Sequence, residues 1–235
     1  MLLAAHELSD LLHYRNQSRC PIVAYNEVMD LIITVVIVAA VLGLSEVWWH
    51  RHLRHDEFSR KFVHITVGSF VAFWPFFLEW REIELLSLAF LIVVGASKYL
   101  NVFKAIHSVQ RPTYGELFFA IAVGAVAFTT HNKWVYMAAL LQMSLADGMA
   151  AVIGVKYGVS NQYKVIGQVK SIAGTTTFVF ISVLILIVYQ HYSLNHLGPI
   201  WIVGLSVLSA GIENIGVSGL DNVLVPLVTA LLLVR

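Results

Sequence analysis

Apolar residues run along this chain in blocks of about twenty, and that spacing leaves few folds open. A helix needs about 20 apolar residues to cross the hydrocarbon core of a bilayer. Blocks of this kind fall near residues 28–47, 61–79, 83–100, 114–130, 134–157, 171–190, 199–215 and 221–234. They read as an all-α integral membrane protein, a polytopic helical bundle of about eight transmembrane helices. Seven is the alternative count, because the third and fourth blocks are the least sharply bounded and the last is short. Composition agrees: 58% of residues are hydrophobic and 12% charged, against roughly 25% charged in a soluble domain. Too little polar surface is available to coat a water-soluble globule.

The blocks and their short connectors use nearly everything from 28 to 235, so that stretch reads as one domain behind a polar N-terminal segment, 1–27. The first residues lack a basic start and a sustained apolar run, so the first true span is expected to insert the chain. With eight spans, ten of the fifteen basic residues, from Arg51 to Lys170, fall in one set of loops. The positive-inside rule puts those loops in the cytoplasm and both termini outside. Trp48, Trp49, Trp80, Trp134 and Trp201 stand near span ends, where interface anchors belong. The expected location is the cell membrane of a prokaryote, or an endoplasmic reticulum or plastid membrane in a eukaryote. A net charge of +1 gives no reason for a nucleic-acid partner. Cys20 is the single cysteine, which excludes an internal disulfide. The histidines, including His50, His52 and His55, lack the ligand spacing of a zinc site.

On this topology the unusual polar residues fall at one face. Lys61 and His64 open the second span, and Arg111 and Glu116 the fourth. Asp147 lies in the inner half of the fifth, Lys170 and Ser171 open the sixth, Glu213 closes the seventh, and Asp221 opens the eighth. A carboxylate in or beside a span is rare unless it is paired, reaches water or binds a cation. Mg²⁺ suits such a set, since it takes one or two carboxylates together with substrate phosphate oxygens. Lys61, Arg111 and Lys170 suit the phosphates. The plainer alternative is a set of salt-bridged helix ends without chemistry.

Two stretches sharpen this reading. Asp147, Ala151, Gly154 and Gly158 share one helical face, whose small residues admit either a ligand or another helix backbone. Lys164, Lys170, Ser171 and Gly174-Thr175 follow, a basic, hydroxyl-bearing helix start that suits phosphate. Ser171 as a simple N-cap is the alternative. The spacing of a Walker A loop is absent. His64 suits phosphate or headgroup contact.

The motifs Arg60-Lys61-x2-His64, Arg111-x-Thr113-Tyr114-Gly115-Glu116, Ala146-Asp147-Gly148 with Gly154 and Gly158, Lys170-Ser171-x2-Gly174-Thr175, and Glu213-x7-Asp221-Asn222-x3-Pro226 together resemble the membrane lipid-alcohol kinases. That group holds the dolichol, phytol and CTP-dependent diacylglycerol kinases. The likeness runs from about residue 58 to the C terminus. Ala173 stands where dolichol kinases usually carry Glu, which makes the chain more similar to phytol kinases. The resemblance implies transfer of the γ-phosphate of a nucleotide, typically CTP, to a lipid hydroxyl (phytol, a polyprenol, dolichol or diacylglycerol) at the cytoplasmic face. It implies nucleotide contacts between Asp147 and Thr175. On this reading Asp147 and Asp221 hold Mg²⁺, with Glu116 or Glu213 completing the site. Lys164, Lys170 and Ser171 hold the triphosphate, with Arg111 and Lys61 nearby. Asp147 or Glu116 accepts the hydroxyl proton. The partners expected are the nucleotide and bilayer lipids, with self-association left open. A CDP-lipid-forming cytidylyltransferase would use a similar face, and a polytopic transporter is the non-enzyme alternative. Transporters tend to place ionisable groups near the midplane, unlike this chain.

Overall fold

The computed structural model describes residues 21–52, 57–100, 114–193 and 195–234. Among them eight helices follow one another: α1 (Pro21–His52), α2 (Glu57–Ala72), α3 (Trp80–Leu100), α4 (Gly115–Thr129), α5 (Lys133–Tyr157), α6 (Ile172–Ser193), α7 (Pro199–Ile215) and α8 (Asp221–Leu233). Each apolar block therefore carries a helix. The segment 1–20, Arg54, Lys104 and Arg111 lie outside the described residues. By contacts the chain divides within α1, after Ile37, and Val38–Arg235 is the unit that holds everything below.

Local chemistry sets the helix ends. The second block was expected to run to 79, but α2 stops at Ala72 and a single 3-10 turn, Trp74–Phe76, follows. Pro75 has no N–H to continue the ladder and crowds the residue before it. Asn132 caps α5, accepting hydrogen bonds from the backbone N–H of Trp134 (3.0 Å) and Val135 (3.4 Å). Pro199 occupies the first turn of α7, where its missing N–H costs nothing.

α5 is the central helix and packs on α2, α4, α6 and α8. Its residues from Val135 to Leu140 are all buried, as expected of a helix that is apolar all round. Gly68 of α2 lets the α2–α5 crossing close, since a Cβ there would stand 2.3 Å from that of Ser144. The outer surface is apolar: Ile92, Phe128, Phe180 and Ile200 are all more than half exposed. Small polar groups lie inside instead. The Thr229 hydroxyl donates to Gln142 Oε1 at 3.3 Å and lies 3.4 Å from the Ser209 hydroxyl. α5 and α6 are long and apolar enough to cross a membrane, and Met29–Leu44, α4, α7 and α8 are shorter apolar helices.

The all-helical expectation needs one amendment. Between α5 and α6 the chain forms an antiparallel hairpin, β1 (Gln162–Val165) and β2 (Gln168–Ser171). Ile166 (φ 46°) and Gly167 (φ 76°) form its two-residue turn. Paired positive φ values match the twist of the flanking strands. The sixth block thus starts as a strand, and its helix begins at Ile172.

Candidate active site

Elements distant in sequence meet around one cavity of about 860 Å³. The starts of α2, α4, α6 and α8, the second half of α5, the end of α7 and the hairpin all line it. Asp147 arrives on a distorted stretch of α5. Gln142–Ala146 is a π turn, in which the Asp147 N–H donates back to Gln142 O. Such turns are rare and often mark functional sites. The Met143 carbonyl lies 3.1 Å from His64 Nε2, which ties α2 to this turn.

Asp147, Glu213 and Asp221 each bring one carboxylate oxygen to within 4.8 Å of the other two. Asp147 and Glu213 are buried and Asp221 is half-buried. Two ammonium groups balance them in part. Lys61 Nζ donates to Asp147 Oδ2 at 2.6 Å, and Lys170 Nζ donates to Glu213 Oε1 at 2.5 Å and to its backbone carbonyl at 3.3 Å. His64 Nε2 stands 3.7 Å from Asp147 Oδ2. Among the described residues Asp221 has no ion-pair partner. Burial works against the charged Lys170, but Glu213 beside it and Asp147 and Asp221 further off together outweigh burial and raise the lysine above its ordinary value. By formal charge, three carboxylates against two ammonium groups leave one negative charge in excess. A hard divalent cation suits that oxygen set and would turn its charge positive, toward phosphate.

The hairpin delivers Lys170. Tyr163 and Lys170 are register partners, so both side chains leave the same face. Lys170 reaches Glu213, while the Tyr163 hydroxyl donates to Asn214 Oδ1 at 3.1 Å and makes a short hydrogen bond with the Thr175 hydroxyl. Thr175 Oγ1 also lies 3.2 Å from Asn214 Oδ1. Gln168 Nε2 donates to Gly216 O at 3.0 Å, joining β2 to the α7–α8 connection. That connection lies against the start of α4. Gly219 has φ +93°, and a Cβ there would stand 2.7 Å from Gly115 Cα. Asn222 Nδ2 donates to Gly115 O at 2.9 Å.

The residues singled out in the sequence separate into groups. Lys61, His64, Glu116, Asp147, Gly154, Lys170, Ser171, Glu213 and Asp221 all line the cavity. Glu116 does so outside the acidic triad. Lys164 does not line it and sits on the exposed face of β1. Gly158 does not line it either: a Cβ there would stand 2.3 Å from Ser171 Oγ. A Cβ on Gly154 would stand 3.0 Å from the same hydroxyl and 3.5 Å from the Gly174 backbone. Ser171 Oγ accepts the Gly174 N–H at 3.1 Å, as an N-cap does. Close packing of α5 on α6 needs small residues at both positions, with Ser171 between them, while Gly154 also borders the cavity. Sequence reasoning passed over Tyr163 and Gln168. The alternation around an Ile-Gly pair was the available signal.

Comparison with known proteins supplies the class: the chain is an enzyme of the lipid-alcohol kinase type, which transfers a phosphate from a nucleotide donor to the hydroxyl of a lipid alcohol. A curated phytol kinase from Synechocystis sp. is 31% identical to it over 201 residues, covering 82% of this chain and 85% of that protein. The chain belongs to the phytol kinase family. No protein-family model and no solved structure matches it.

Proposed function

We propose that this protein transfers the γ-phosphate of CTP to the hydroxyl of an isoprenoid alcohol such as phytol, releasing CDP. The observation that carries the reading is a cation-ready acidic triad, flanked by Lys61 and Lys170, in a cavity with apolar walls. Phosphoryl transfer is chiefly a matter of positioning and charge neutralisation, and this composition provides both. The family relationship supports the alcohol acceptor. CTP follows from the motif resemblance.

Asp147, Glu213 and Asp221 would hold Mg²⁺, which supplies charge neutralisation on the phosphates when bound. Lys61 and Lys170 supply two further positive charges at the cavity wall. Lys170 stays charged across the physiological range because Glu213 raises its pKa. Glu116 is the general base: it lines the cavity outside the triad and among the described residues has no ion-pair partner. The acceptor hydroxyl gives its proton to Glu116 while its oxygen bonds to the γ-phosphorus. The bond from that phosphorus to the β,γ-bridging oxygen breaks, and CDP leaves. His64 orients the hydroxyl from beside Asp147.

We place all eight helices across the membrane, with the site at its cytoplasmic end. The exposed apolar side chains and the buried polar ones support this arrangement, as does the distribution of basic residues. The test is turnover by purified protein with labelled CTP or ATP and a panel of phytol, farnesol, polyprenol and diacylglycerol. A phosphorylated isoprenoid alcohol formed from CTP is expected. Phosphorylation of diacylglycerol alone, or from ATP alone, would overturn the corresponding part.

A further inference from the structure

The cavity has a second, apolar half. Val63 and Val67 of α2, Phe90 and Val94 of α3, and Phe119 of α4 line it together with the charged groups. Val67, Val94 and Phe119 are almost fully buried, so this wall belongs to the interior. The same helices show lipid-facing side chains elsewhere: Leu88 and Ile92 of α3 are more than half exposed. Phe90 and Val94 lie one turn apart on the inward face of α3.

Aromatic contacts bridge the two halves. The His64 ring meets Phe119 edge-on at 5.4 Å, and Phe119 meets Phe90 in the same way at 6.1 Å. His64 Nε2 is 3.7 Å from Asp147. A path therefore leads from the triad through His64 to the apolar rings of Phe119 and Phe90. Val67 lies six residues past Lys61, which is about 9 Å along the helix axis. Glu116, the proposed base, stands one turn from Phe119 on α4.

We infer that this apolar half is the slot for the acceptor's hydrocarbon chain, and that it grips the part of the chain next to the hydroxyl. The inference rests on the lipid-kinase reading and adds a substrate subsite to it. An alcohol lying along Phe119 and Phe90 brings its hydroxyl to His64 and Glu116. The rest of a long chain lies in the bilayer. Selectivity then resides in the first carbons of the chain, not in its total length.

Filling the slot tests this. Each CH₂ withdrawn from an apolar site costs about fourfold in affinity. Val67→Trp and Val94→Phe are each expected to raise the KM for phytol at least about tenfold and to leave the KM for CTP within about twofold. Ile92→Trp, on the outward face, serves as a control and should change neither. A photoactivatable phytol analogue, with its diazirine near the hydroxyl, should label Phe90, Val94 or Phe119 themselves, resolved residue by residue, in the wild-type protein, and free phytol should suppress that labelling. This measurement holds even if the filled variants fold poorly. Labelling confined to the outward side chains Leu88 and Ile92 overturns the slot. So does a folded Val67→Trp variant with an unchanged phytol KM. If the wild type phosphorylates no alcohol, the kinase reading fails instead, and the two failures are distinct.

Discussion

Replacing Lys170 with methionine while Glu213 stays in place leaves a carboxylate without its partner. The two side chains are only 18% and 8% exposed, and their charged atoms lie 2.5 Å apart. Breaking a buried pair costs roughly 3–5 kcal/mol, because the remaining charge is uncompensated. The partial exposure of Lys170 favours the lower end, about 3 kcal/mol. For a chain of this size each kcal/mol shifts Tm by roughly 2–4 °C, so Lys170→Met should unfold about 6–12 °C lower. Adding Glu213→Leu removes the stranded charge, and an apolar replacement of a whole pair is often neutral. The double variant should therefore unfold within about 3 °C of the wild type. Its activity should stay at least about 100-fold down, since a proposed phosphate ligand and a metal ligand are both gone. Thermal unfolding of detergent-solubilised protein, followed by light scattering, reads the first quantity, and transfer from labelled CTP the second. An active double variant would make this pair purely structural. An unchanged Tm in Lys170→Met would refute the pairing itself.

Other outcomes follow from the same geometry. Asp221→Asn should weaken Mn²⁺ binding, read by electron paramagnetic resonance, by at least about tenfold and lower kcat by about 100-fold or more; unchanged metal affinity would remove Asp221 from the cation site. Glu116→Gln should lower kcat by about 10²–10⁴-fold while Mn²⁺ affinity holds, and a parallel loss of both would make it a metal ligand. Tyr163→Phe removes a hydroxyl bonded to Asn214 and Thr175, a loss of about 1 kcal/mol that thermal unfolding should register as a drop of a few degrees. The Lys170 pKa is raised in the folded state, so its stabilisation is complete below the unfolded lysine value of about 10.4 and fades as pH climbs through the folded value. Above pH of about 10.4 the wild type should lose Tm faster than the Lys170→Met, Glu213→Leu double variant.

Much of this architecture is legible in the sequence because apolar block length is a strong signal. Each block holds a helix, and the cost of leaving carboxylates in such surroundings pointed to Glu116, Asp147, Glu213 and Asp221 as a group; all four line one cavity, and the last three stand together there without Glu116. Short-range structure was harder to read. The hairpin is only four residues per strand and depends on Ile166 adopting positive φ, which a β-branched residue rarely does. Its register decides that Lys170 faces Glu213 while Lys164 faces outward. The glycines at 154 and 158 carried two readings, and only the position of Ser171 against them accounts for their size. The π turn before Asp147 leaves no mark in the hydrophobic pattern, because a one-residue shift inside a helix buried all round changes no polarity.

In the proposed mechanism the acidic triad and its two lysines move a γ-phosphate from nucleotide to lipid. The most direct test follows γ-labelled CTP with purified wild-type protein and the Asp147→Asn variant in the presence of phytol. The wild type should carry the label into the lipid with one CDP formed per lipid phosphate, and the folded variant should transfer none. Pyrophosphate in place of CDP, or full transfer by the folded Asp147→Asn variant, would contradict it.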